Sequence, residues 1–219
     1  MSEITAAILV GGQGTRLRAV VPDRQKVVAP VAGKPFLYRL LDQIAAAGIQ
    51  RVVLCTGYKA EQVASIGASY RGMTIRYSVE REPLGTAGAL RNAGLEAPAL
   101  VMNGDSYCDV DLTLLSQPNT IVVREIPDTS ASGRVEFDAN NVITRFAEKG
   151  STGQGWINAG IYLLNHEFIE SIPAGHAVSI EREIFPAWVG RGLRAFPTHG
   201  RFLDIGTPES YAAAQKFFP

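Results

Sequence analysis

Histidine, cysteine and net charge are all in short supply in this chain. Its 219 residues hold three histidines and two cysteines, and its 21 Lys and Arg are matched by 21 Asp and Glu. Cys55 and Cys108 stand far apart, with no C-x-x-C and no histidine at ligand spacing, so neither a zinc site nor a disulfide framework is indicated. His166, His176 and His199 are scattered with no nucleophile at hand, and none of them is given a catalytic role. A balanced charge without blocks of one sign provides no long-range pull on nucleic acid or on an anionic membrane, so neither is expected as a partner. A phosphate ligand would have to be held by a few placed cations. No apolar run approaches the length of a membrane span. The opening "MSEITAAILV" lacks a basic n-region and runs into glycines, unlike a secretory signal, so a cytoplasmic protein is expected. Repeats, low-complexity tracts and long linkers are missing too, and the length suits one domain.

What is there alternates. "TAAILV" (5–10) and "RVVLCT" (51–56) are short apolar runs suited to strands covered on both faces. Between them "PFLYRLLDQIAAAG" has Pro35 at a helix start and Gly48 at its stop, with Phe36, Leu40, Ile44 and Ala47 at helical spacing. A helix near 59–66, the strand "MTIRYSV", a helix after Gly85 and the strand "ALVMN" continue the pattern. Strands alternating with helices predict a largely parallel, doubly wound α/β sheet. In the second half "TIVVRE", "GRVEFD", "VITRFAEK" and "INAGIYLL" follow one another with short polar turns, which predicts an antiparallel extension. Helices return at "IEREIFPAWV" and "PESYAAAQKFF".

Ligands of such sheets sit at the carboxyl ends of the strands. "ILVGGQGTRL" (8–17) lies there. Its glycines let backbone approach a ligand, successive N–H groups form a concavity for anions, and Arg16 adds a permanently charged fork. Taken alone, the stretch reads first as a glycine turn with a solvated arginine. It is neither a P-loop nor a dinucleotide fingerprint, since Leu17 stands where the latter needs glycine. "PLGTAGAL" (83–90) offers Gly85, Thr86 and Gly88 at a helix start, with small side chains and free N–H groups for a flat base, or else an ordinary capped helix. Asp105 in "VMNGDSYCD" follows an apolar strand, where a carboxylate is poorly tolerated unless it meets a cation, and Asp204 in "RFLDIGTPE" repeats the situation. A hard cation such as Mg²⁺, completing its shell from water and phosphate, is the natural partner of that pair. Asp109 and Asp111 read as turn and helix-cap residues.

Together these pieces resemble the sugar-1-phosphate nucleotidyltransferases, over nearly the whole chain. The signature G-G-x-G-T-R-L stands at 11–17 and its following lysine is Lys26, with Gln25 where the family usually has proline. The resemblance implies a single-domain, Rossmann-like, GT-A-like α/β fold, with a nucleotide-binding half of about 1–115 and a sugar-binding half of about 116–219. It implies that Gly11, Gly12, Gly14, Thr15, Gly85, Thr86 and Gly104 meet the nucleotide, with Glu80 reading the base. Arg16 would bind the departing β and γ phosphates and Lys26 the α-phosphate. Glu148 and Lys149 match an E-K pair for the sugar and its phosphate, and Asn158 and Gly160 match an N-x-G that reads a hydroxyl. Asp105 and Asp204 would hold Mg²⁺, with Mn²⁺ able to substitute.

The reaction implied is a single in-line transfer of a nucleoside monophosphate from NTP to a sugar 1-phosphate, with pyrophosphate released. GTP and D-glycero-α-D-manno-heptose 1-phosphate are the favoured pair, a step that would supply GDP-heptose for capsule or surface-layer glycan. UTP, dTTP or GTP with another hexose or amino-sugar 1-phosphate is the alternative, and a non-catalytic sugar-nucleotide sensor is a third. The replaced proline predicts a looser glycine loop, and a homodimer is left open.

Overall fold

The computed structural model describes residues 3–96, 98–147, 150 and 152–218. Among these, one ten-stranded mixed sheet carries the molecule. At its centre the strand Thr5–Leu9 runs parallel to Arg51–Thr56 on one side and to Ala99–Asn103 on the other. Met73–Val79 continues the parallel part and Ser69–Tyr70 closes that edge. Alternate residues of the central strand feed opposite faces. Ala6 and Ile8 join the core under helix Phe36–Ala46, while Ala7 joins the core beneath helices Gly85–Asn92, His166–Glu170 and Phe185–Trp188. Burial on both faces is why these strands read as continuous apolar runs.

Helix Phe36–Ala46 follows Pro35, turns Phe36, Leu37, Leu40, Leu41 and Ile44 inward, and gives way to Gly48 at φ 73°. The helices expected near 59–66 and over the C-terminal segment are shorter, Ala60–Ala64 and Pro208–Ala214.

Beyond Ala99–Asn103 the sheet turns antiparallel, as expected, through Gly155–Leu164, Arg134–Phe137 and Ile143–Ala147. Three features differ from the sequence reading. Arg194–Thr198 joins Thr120–Ile126 in parallel, so the extension is mixed. His166–Glu170 forms a short helix because the Asn165 side chain accepts from the Phe168 N–H and caps it. The segment expected as one helix from 180 starts as a π-helical turn, Ile180–Ile184, before Phe185–Trp188 continues in α form. A separate two-stranded ladder, Ser106–Cys108 with Phe202–Asp204, brings the end of the chain beside the end of the strand Ala99–Asn103. No helix of the described residues is long and apolar enough to cross a membrane.

Candidate active site

The carboxyl ends of Thr5–Leu9, Arg51–Thr56, Met73–Val79 and Ala99–Asn103 open into one cavity of about 510 Å³. That size suits a small-molecule site, and the place is where an open α/β sheet binds its ligands. Gly11, Gly12, Lys26, Glu80, Gly85, Thr86, Gly104 and Asp105 all line it, so residues from four separated segments meet as the motifs predicted.

In the glycine loop a Cβ on Gly12 would meet nothing within 4 Å, whereas one on Gly11 would stand 2.7 Å from the Glu80 carboxylate. Among the described residues the N–H groups of Gly11, Gly12, Gln13 and Gly14 have no hydrogen-bond partner. They form the row of free donors that an anion needs. Gly14, at φ 58°, starts the 3-10 turn Thr15–Leu17, which buries Leu17 and leaves Thr15 and Arg16 exposed. The Arg16 guanidinium lies over Gly206, where a Cβ would be 3.4 Å from its Nη2 and 3.1 Å from Asp204 Oδ1. Arg16 therefore stands at the Asp204 turn, beyond the cavity's own lining.

Lys26 lies on the turn Lys26–Val28 and its Nζ donates to Asp105 Oδ2 at 2.5 Å. The Ile205 N–H donates to the Asp105 carbonyl at 2.8 Å, and Asp204 pairs in register with Ser106, so Asp105 and Asp204 come from neighbouring rungs of one ladder. Asp204 Oδ1 accepts from the Gly206 N–H at 2.7 Å and from the Ser210 hydroxyl at 3.0 Å. Each carboxylate keeps one oxygen with no protein partner among the described residues. Two spare carboxylate oxygens suit a hard cation that takes its other ligands from phosphate and water. Among the described residues no group of three or more His, Cys, Asp or Glu side chains can hold a metal by itself. Asp111 caps the turn Leu112–Leu114, the part assigned to it from sequence, whereas Asp109, expected in a turn, pairs with Arg201 at 2.9 Å.

Glu80 is wedged between Gly11 and Gly57, with its Oε1 2.5 Å from where a Gly57 Cβ would be. Its Oε2 accepts the Leu84 N–H at 3.0 Å. Burial raises its pKa above the usual carboxylate range, and the Leu84 bond opposes that only in part.

Gly85 and Gly88 also have a packing role that the sequence reading did not include. A Cβ on Gly85, at φ 68°, would lie 2.5 Å from the Val178 carbonyl, and one on Gly88 the same distance from the His176 carbonyl. Val178 also accepts the Ala87 N–H at 2.9 Å. The small residues bring the helix against segment 176–178, and that N–H is not free for a base. The Thr86 hydroxyl donates to Glu181 at 3.0 Å and accepts the Ile180 N–H at 2.8 Å. Gly104 is likewise a packing position, with Leu9 O 2.6 Å from a Cβ there.

Glu181, Asn103 and Gln25 line the cavity without having been singled out as site residues. Glu181 also accepts from the Ser179 hydroxyl at 3.2 Å and lies 3.5 Å from the Asn103 amide nitrogen. Its position in "IEREIFPAWV" carried no turn or glycine signal that could have marked it. Gln25 overturns the expectation of a looser loop. It is 1% exposed, and its side-chain amide donates to the Val10 carbonyl at 2.5 Å while its Oε1 accepts the Val27 N–H at 2.6 Å.

Asn158 donates to the Tyr162 hydroxyl at 3.0 Å and accepts the Gly160 N–H at 2.8 Å. Both ends of its amide thus shape the irregularity between Asn158 and Tyr162, where Gly160 takes φ 76°. Neither residue lines the cavity. Glu148 and Lys149 lie outside the described residues.

The chain matches the family described as Nucleotidyl transferase over residues 5–219. It is 35% identical to a D-glycero-alpha-D-manno-heptose 1-phosphate guanylyltransferase of Aneurinibacillus thermoaerophilus, with 96% of each chain covered. It is 38% identical to a mannose-1-phosphate guanylyltransferase of Mycobacterium tuberculosis, across 95% of this chain but 63% of that one. The crystal structure of HddC from Yersinia pseudotuberculosis superposes with a TM-score of 0.85 at 36% identity, covering 99% of this chain and all of that one, and HddC has also been solved complexed with GMP-PN. With its signature loop, its paired aspartates and a family match running from the first strand to the last residue, the chain belongs to the nucleotidyl transferase family.

Proposed function

We propose that this protein transfers guanylyl from GTP to D-glycero-α-D-manno-heptose 1-phosphate, giving GDP-heptose and pyrophosphate. The observation that carries the reaction class is the convergence of the free N–H groups of Gly11, Gly12 and Gln13 with Lys26 and Asp105 on one cavity. The choice of base and sugar is supported by the names of two full-length relatives, from Aneurinibacillus thermoaerophilus and Campylobacter jejuni.

The acceptor is already an anionic nucleophile, so the protein has to align it with the α-phosphorus and offset repulsion between phosphates. The free amides of 11–14 hold the triphosphate and Arg16 takes the charge that grows on pyrophosphate. Lys26, paired with Asp105 in this structure, would bind the α-phosphate. Asp105 and Asp204 would hold Mg²⁺ or Mn²⁺, and such an ion would supply further neutralisation of the reacting phosphates. Glu80 receives the paired N–H donors of guanine, which uracil and thymine lack. Glu148, Lys149, Asn158 and Gly160 remain the candidates for the sugar and its phosphate.

A single displacement makes pyrophosphate release depend on the acceptor. With GTP and Mg²⁺ alone no pyrophosphate should appear, and release should begin when heptose 1-phosphate is added. A stoichiometric burst without acceptor would mean a covalent nucleotidyl-enzyme, and no release under any condition would favour the sensor.

A further inference from the structure

We infer that Gln25 is a positioning residue for nucleotide binding, which in this chain replaces a rigid proline turn by a buried hydrogen-bonded strap. The inference rests on the proposed nucleotide reading of the cavity and goes beyond it in naming what aims the loop.

The side-chain amide of Gln25 donates to two carbonyls of the glycine loop, Val10 at 2.5 Å and Gly12 at 3.5 Å. In a planar trans peptide a carbonyl and the N–H that follows it point in opposite directions. Holding the carbonyls of Val10 and Gly12 on the Gln25 side therefore turns the N–H groups of Gly11 and Gln13 away from it. Both residues line the cavity, and both N–H groups lack a partner among the described residues. The Tyr58 N–H holds the intervening Gly11 carbonyl at 3.2 Å, which keeps the middle peptide from flipping.

The other end of the same amide works on the cation. Oε1 of Gln25 accepts the Val27 N–H at 2.6 Å and so caps the turn that carries Lys26. One buried side chain thus fixes the glycine donors and Lys26 relative to each other. The strap is anchored in turn, since the Gln25 N–H donates to Gln62 Oε1 at 2.7 Å and Gln62 donates to the Asp23 carbonyl at 2.9 Å.

Gln25 has φ −65°, the angle proline would impose. Proline would fit the backbone here but would remove the N–H bonded to Gln62 and every bond of the side chain. That makes a sharp comparison possible. If backbone shape alone sets the loop, proline serves as well as glutamine; if the strap does, proline is as damaging as a side chain of similar volume that cannot hydrogen-bond.

The test is GTP binding by calorimetry, without acceptor, for the native protein, Gln25→Met and Gln25→Pro. Amide hydrogen exchange is followed across residues 10–14 with and without GTP. The strap predicts that both variants bind GTP at least tenfold more weakly, while KM for the sugar phosphate stays within twofold of native. It also predicts that native Gly11 and Gln13 amides exchange freely without nucleotide and are protected by GTP. Affinity within twofold of native in Gln25→Pro would overturn the inference, as would protection of those amides in the nucleotide-free native protein. If Gln25→Met fails to fold, the proline variant and the native exchange pattern still decide. Because binding and exchange are read without turnover, failure of the proposed reaction would show separately, as native protein that binds GTP but forms no product.

Discussion

Glu80 sets stability against use within a single side chain. Burial between Gly11 and Gly57 raises its pKa, so its protonated form suits the fold better than its charged form. The stability associated with that group is full at pH below the unfolded carboxylate range and is lost as pH rises through the raised folded value. Glu80→Gln keeps an acceptor for the Leu84 N–H and carries no charge. It should raise Tm at pH 7 to 8, and the gain should shrink toward pH 4 in thermal melts across that range. The same variant should lower kcat/KM for GTP at least tenfold, because only one acceptor remains for two guanine donors. Unchanged GTP kinetics would remove Glu80 from base reading. Asp204 offers a second clean substitution. Asparagine can still accept from Gly206 and Ser210, so Asp204→Asn should melt like the native protein yet lose turnover on the order of 10²-fold. Near-normal rates would put the metal elsewhere.

Elements hold the site by close backbone approach. Helix Gly85–Asn92 meets segment 176–178 through Gly85 and Gly88, and the Thr86 to Glu181 bond ties the same two pieces together on the cavity side. A Cβ on Gly88 would also stand 2.9 Å from Leu84 Cβ, so Gly88→Ala must push the helix off its partner. Overpacking of this kind costs about 1–3 kcal/mol. Urea unfolding should report a loss in that range, and KM for the nucleotide should rise because Gly85, Thr86 and Glu181 all line the cavity. A Gly88→Ala protein as stable as native would mean that the two elements can separate without consequence. At the start of the Pro208–Ala214 helix, Asp204 accepts from Ser210 in its first turn, which couples a candidate metal ligand to a helix start.

For the whole molecule, the parallel half was legible because its strands are continuous apolar runs and its helices carry proline and glycine at their ends. The glycine loop, Lys26 and Asp105 were legible because their spacing is local in sequence and their chemistry is distinctive, whereas Glu80 entered only through the family resemblance. What could not be read depends on chain segments far apart. Glu181 joins the cavity only through a fold that brings residue 181 to residue 86, and Arg194–Thr198 pairs in parallel only because the chain crosses over before it returns. The packing of Gly85 and Gly88 could not be read for a related reason, since glycine signals close approach without saying whether a ligand or another backbone approaches. Gln25 was judged by the residue it replaces, while its effect lies in bonds that no local pattern encodes.

The central claim is guanylyl transfer to a manno-configured heptose, and one competition experiment tests it most directly. The native protein with Mg²⁺ is given equal concentrations of GTP, UTP, dTTP and CTP together with heptose 1-phosphate, mannose 1-phosphate and glucose 1-phosphate, and the early products are resolved by mass spectrometry. GDP-heptose should dominate, with GDP-mannose as the minor product because mannose shares the ring configuration and lacks only the seventh carbon. A dominant UDP- or dTDP-sugar, or GDP-glucose ahead of both manno products, would contradict the account.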